Sequence, residues 1–135
     1  MKVVIDTNVL VSGLLSPYGP PGEIVRMVAS GALSLCFDAR IISEYSEVLR
    51  RPKFPFRKEE VEALLAQIQA EGSVAASKPL ARRLTDPHDE AFLEVAVAGK
   101  VAMLVTGNLK HYPSGFQHVK IVSPAVFLEY YRKQS

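Results

Sequence analysis

Four oxygen-bearing side chains stand where an α/β chain could gather a ligand: Asp6, Glu44, Asp89 and Asn108. Asp6 ends the apolar run Lys2-Val3-Val4-Ile5 and opens the polar turn Asp6-Thr7-Asn8. Glu44 borders the helical stripe of Ile41, Ile42, Tyr45, Val48 and Leu49, with Glu47 pointing further out. Asp89 has Phe92, Leu93 and Ala96 at i+3, i+4 and i+7, which sets it in line with an apolar stripe and facing inward. Asn108 follows the apolar run 101–105 through Thr106-Gly107. Thr7, Asn8, Asp86 and Thr106 flank the four as supporting positions. Each residue has a plain structural alternative. Asp6 suits a helix cap or an Asx turn. Glu44 suits the solvated edge of a stripe. Asp86, Pro87 and Asp89 suit an N-terminal capping arrangement, and Asn108 suits a turn with left-handed dihedrals. Taken together, the carboxylates would repel one another, so at neutral pH one is protonated or a cation neutralises them. Oxygen ligands favour Mg²⁺ or Mn²⁺. Such an ion can generate a bound hydroxide and stabilise charge on a phosphoryl oxygen.

The elements that must position these residues alternate. Short apolar strands are expected at 2–5, 33–37, 101–105 and 119–122, with a weaker one at 73–76. Helices are expected over 23–30, closed by Gly31, over 39–50 with Asp38 as cap, over 58–71, over 88–98 and after Ser123-Pro124. Residues 16–22, rich in Pro and Gly, read as a loop, and 54–56 as a linker-like bend. Strands alternating with helices predict βαβ units, a mostly parallel sheet and helices on both faces. Ligands bind such sheets beyond the carboxyl ends of the strands, where Asp6-Thr7-Asn8 and Thr106-Gly107-Asn108 lie.

Composition narrows the classes. At 135 residues, 48% hydrophobic and with a net charge of +2, the chain reads as one globular domain rather than a disordered segment. A single cysteine, Cys36, excludes an internal disulfide and a cysteine-based zinc site. His88, His111 and His118 lack zinc-binding spacing, and no P-loop, GxGxxG or GxSxG occurs. No apolar run approaches a membrane span and no secretory pattern opens the chain, so the expected location is cytoplasmic.

The opening Val3-Val4-Ile5-Asp6-Thr7-Asn8-Val9-Leu10 resembles that of PIN-domain nucleases, in which a strand delivers the first metal-binding Asp. Ile41-Ile42-Ser43-Glu44-Tyr45, Asp86-Pro87-His88-Asp89-Glu90-Ala91-Phe92-Leu93 and Val105-Thr106-Gly107-Asn108 resemble the segments carrying the second, third and fourth acidic positions. With 49–54 and Gly19-Pro20-Pro21, the likeness is closest to the VapBC-type toxin group. It implies a PIN-like three-layer αβα domain with a mostly parallel central sheet. It also implies a ribonuclease using Mg²⁺ or Mn²⁺ held by Asp6, Glu44 and Asp89, a homodimer or higher homo-oligomer, and a small antitoxin partner. The fourth position is often Asp; Asn108 keeps an oxygen and drops a charge, which points to one tightly held metal.

On the substrate side, 50–58 interleaves Arg50, Arg51, Lys53, Arg57 and Lys58 with Phe54 and Phe56. Cations could meet RNA phosphates while a ring stacks on a base. The alternative is a solvated connector with its Phe residues anchored in the core. Arg82, Arg83 and Lys110 are further candidates. Two competing functions stay open. One is a PIN-like RNA- or protein-binding module of weak or no activity. The other is a dehalogenase-like phosphatase, which Asn8 disfavours by standing where a second acid would be needed.

Overall fold

The computed structural model describes residues 1–80, 84 and 86–134, with nothing of the His88 side chain. Arg82 and Arg83 lie outside the described residues. Strand β1 (Lys2–Ile5) passes into helix α1 (Thr7–Leu15), and α2 (Pro20–Ala29) follows. Next come β2 (Ser34–Phe37), α3 (Ala39–Leu49), α4 (Lys58–Glu71) and the two-residue β3 (Ser73–Val74). The second half holds α5 (Pro87–Ala98), β4 (Met103–Val105), a 3₁₀ turn (Leu109–His111), β5 (Gly115–Phe116), β6 (Val119–Val122) and α6 (Pro124–Gln134).

The strand order is β3-β2-β1-β4-β6-β5, parallel throughout except for β5, which pairs antiparallel with β6 at one edge. This is a three-layer αβα architecture. The core strands are apolar on both faces because helices cover both: Val3, Val4, Ile5, Leu104 and Val105 are all inaccessible to solvent. The chain winds outward from β1 to β2 and β3, then returns to place β4 on the other side of β1. The carboxyl ends of β1 and β4 therefore form the switch point at which such sheets bind ligands.

Three local expectations are corrected. The turn expected at Asp6-Thr7-Asn8 is absent, because the helix begins at Thr7 directly after the strand. The loop expected over 16–22 ends early, since Pro20 and Pro21 occupy the first helical positions, where a missing N–H costs nothing. Gly22 is needed there: a Cβ would come within 2.2 Å of the Pro17 carbonyl oxygen. The short β5 was not anticipated. By contrast, Asp38 caps α3 by accepting from the Ile41 N–H, and Gly31 takes the left-handed backbone that closes α2.

Candidate functional site

Asp6 sits at the carboxyl end of β1, its own N–H donating to the Val105 carbonyl of β4. Its side chain makes no hydrogen bond that caps α1 and turns instead into the switch point. There Oδ2 accepts from the Thr106 hydroxyl at 2.9 Å and the Tyr112 hydroxyl at 3.1 Å. Thr106 is fully buried at the end of β4, and its Oγ1 also accepts from the Asn108 N–H. Asn8, in the first turn of α1, accepts from the Gly107 N–H at 2.9 Å and ties the two strand ends together.

Asp89 enters from the first turn of α5, buried, with Oδ1 3.4 Å from the same Tyr112 hydroxyl. One hydroxyl carries one proton and cannot donate to both carboxylates. Asp89 Oδ2 is buried without a hydrogen bond. His111 Nδ1 approaches it to 3.3 Å, close enough for an ion pair when protonated but outside hydrogen-bond geometry. Glu44, half-buried on α3, faces the same cleft and accepts a short hydrogen bond from the Thr7 hydroxyl. Asp6, Glu44, Asp86, Asp89, Asn108 and His111 all line one open cleft. Asn108 is exposed at its rim with φ −121°, so the left-handed turn that was the structural alternative there does not form.

The electrostatics follow from crowding acids where water is scarce. Burial pushes Asp6 above its ordinary range, and the Thr106 and Tyr112 hydroxyls with nearby amides offset only part of that. Asp89 is pushed up to about 6, first by burial and then by the charges of Asp6 and Asp86, against the opposing pull of His111 and Tyr112. The Tyr112 phenol is raised by burial and by both carboxylates, which keeps it a neutral donor.

The donor set is all oxygen, two of its acids resist ionising together, and one buried oxygen lacks a hydrogen bond. In chemical type that fits a hard divalent cation. Among the described residues, no three His, Cys, Asp or Glu side chains stand close enough to enclose one as they are. Mg²⁺ requires less than that, since it retains several waters and takes one or two carboxylates directly.

The profile of the PIN domain matches residues 2–110, which takes in β1 through the 3₁₀ turn. The chain belongs to the PIN-domain family. PIN domains are generally nucleases and typically use divalent metals, so nuclease chemistry is the coarse activity that membership carries. The chain is also similar to an uncharacterized protein of Methanocaldococcus jannaschii, 27% identical over 98% of this chain and 93% of that one. Among the described residues no helix is long and apolar enough to cross a membrane.

Sequence reasoning missed three PIN-cleft residues. Tyr112 and His111 lie beyond the last strand-end motif, in a segment with no period to orient it. Glu47, read as pointing outward, is exposed yet lines the cleft and holds Arg51. It also missed that Glu90 and Glu94 of α5 are buried, because a helix buried on nearly every side hides its acids among apolar residues.

Proposed function

We propose that this chain is a divalent-metal-dependent endoribonuclease that hydrolyses RNA phosphodiester bonds, with residues 1–135 as one nuclease domain. The supporting observation is the pairing of Asp6 with Asp89 around one Tyr112 hydroxyl at the carboxyl ends of β1 and β4, with Asp89 Oδ2 buried and lacking a hydrogen bond. In this reading Asp6, Glu44 and Asp89 would hold Mg²⁺ or Mn²⁺. Glu44 adds its negative charge to the same cleft, oriented by the Thr7 hydroxyl. Asn108 offers a neutral oxygen at the rim, so one ion is held tightly. Held there, a divalent ion would make an attacking water more acidic and offset charge on the phosphoryl oxygens. Thr106 and Asn8 keep the two strand ends, and with them Asp6, in fixed register. In the reaction a water oxygen bonds to phosphorus, the P–O bond to one ribose breaks, and the leaving oxygen gains a proton.

A cytoplasmic toxin role, a small antitoxin partner and a homodimer or higher oligomer rest on the likeness to the VapBC-type group. The test is RNA cleavage by wild type, D6N and D89N with Mn²⁺ or with excess chelator, alongside circular dichroism. Loss of cleavage in both variants and in chelator, with the fold retained, is expected. Cleavage that persists in either sinks the reading. Asn108 favours one alternative, a binding module of weak or no activity, because it removes a charge from the site. Calorimetry with Mn²⁺ separates the two: no heat and no cleavage would favour the module.

A further inference from the structure

Beside the carboxylate cleft lies a second cavity of about 340 Å³, formed where α3 turns into α4. Arg50, Phe54, Phe56 and Lys58 line it, and Arg51 lines both it and the cleft. Phe56 packs against the core. Phe54 stacks on Phe56 at 5.1 Å between ring centres and 15° between planes, with the Lys53 ammonium 5.2 Å from its ring centre. The expected anchoring of both rings in the core therefore holds for Phe56, while Phe54 is held out as a half-buried platform. Glu47 engages Arg51 through Nη2, and the Nε–H and Nη1–H donors make no hydrogen bond among the described residues, so each can donate singly to an anion. Lys53 and Arg57 make no ion pair among the described residues.

We propose that this cavity is a substrate subsite for single-stranded RNA. A base stacks on Phe54 while the phosphate between it and the scissile bond meets Arg51. The inference rests on the nuclease reading and assigns the path by which the polymer leaves the cleft. A wall of carboxylates repels a polyanion, so cations must stand at its margin, and among the described residues Arg51 is the arginine that lines the cleft. Lys53 gives up the ring face to the base and follows the backbone. A ring reads any base, so the site grips without dictating sequence.

The experiment measures fluorescence anisotropy of a labelled single-stranded RNA of about ten nucleotides on the cleavage-silent D6N protein, across a salt series. Adding F54A should weaken binding about tenfold, and F54Y should restore it. Adding R51Q should weaken binding and flatten the salt slope by about 0.7, the share of one phosphate contact on a single strand. Circular dichroism of each variant checks the fold. F54L, which keeps the packing but loses the π face, replaces F54A if that variant unfolds. Dissociation constants within twofold of the D6N parent for F54A and R51Q overturn the proposal, as does an apolar or acidic peptide that binds the cavity without displacing RNA. A D6N protein that fails to bind RNA, beside wild-type protein that cleaves it, sinks the subsite and leaves the nuclease. Binding that depends on Phe54, beside wild-type protein that never cleaves, keeps the subsite and sinks the nuclease.

Discussion

Two of the buried carboxylates on helix α5 end in opposite situations. Glu94, near its C-terminal end, meets Arg40 Nη1 at 2.8 Å. The same guanidinium grips Asp38 through Nε and Nη2 and reaches the Ser77 hydroxyl, while Asp38 caps α3. Every charge there has a fixed partner, and the network ties α3 to α5. Asp89, in the first turn of the same helix, shares a tyrosine hydroxyl with a second carboxylate and leaves an oxygen without a hydrogen bond. Burial of an acid is thus not what marks a site. The distinguishing feature is burial without a permanent cation in contact: Glu94 has the Arg40 guanidinium, whereas Asp89 has His111, charged only when protonated.

The sharpest way to break this contrast is to neutralise one acid in each place. D89N and D6N should each lower Mn²⁺-dependent RNA cleavage by orders of magnitude, read from initial rates. E94Q should keep most of the activity. If E94Q silences the protein as D89N does, the two acids differ only in position.

Next in size is the effect on stability. R40M leaves Glu94 buried without its cation and should destabilise by about 1–3 kcal/mol, the range for a buried acceptor losing its partner, measured by urea unfolding. Arg40 is half exposed, so a full buried-pair penalty is not expected. Metal-free D89N should instead match or exceed wild type, because it removes repulsion with Asp6.

A smaller effect comes from the metal itself. Mn²⁺ at about a hundred times its dissociation constant should stabilise wild type by about 2.7 kcal/mol, seen as a rise in Tm. R40M should keep that increment, and D6N and D89N should lose it.

The smallest expected effect is a pH slope. Asp89 holds its proton in the fold up to about 6, whereas its ordinary value is 3.8. The folded protein therefore binds more protons than the unfolded chain between those values. Stability from this group is full at low pH and is lost as pH rises through about 6. Metal-free wild type should lose stability across that window, and D89N should show a flatter profile. Asp6 is coupled to it, so the slope belongs to the pair. Mn²⁺ must displace that proton, so its affinity should climb with pH through the same range.

Much of this was readable before any coordinates. Val3-Val4-Ile5 announced a strand covered on both faces, and its successor Asp6 could only emerge at a carboxyl end. The register of Asp89 with Phe92, Leu93 and Ala96 predicted an inward acid, and Asp89 is buried. Glu44 was harder: its place at the stripe's edge fits a half-buried ligand and a surface residue equally. The basic run 50–58 could be read as a patch, but nothing in its spacing said which of its two rings would face the core.

The sequence by itself determined the order of the elements other than α1 and β5, because hydrophobic periodicity and turn residues are local and act within a few residues of chain. It also named Asp6, Glu44, Asp89 and Asn108, oxygen-bearing side chains that line one cleft. Only the tertiary structure decided which acids share a partner. Tyr112 is 106 positions from Asp6, and no local pattern could bring its hydroxyl between two carboxylates. The same holds for Arg40, which neutralises Glu94 across 54 positions of chain and leaves Asp89 without a comparable cation. Proximity of that kind is set by how the sheet reverses at β1, a property of the whole packed chain.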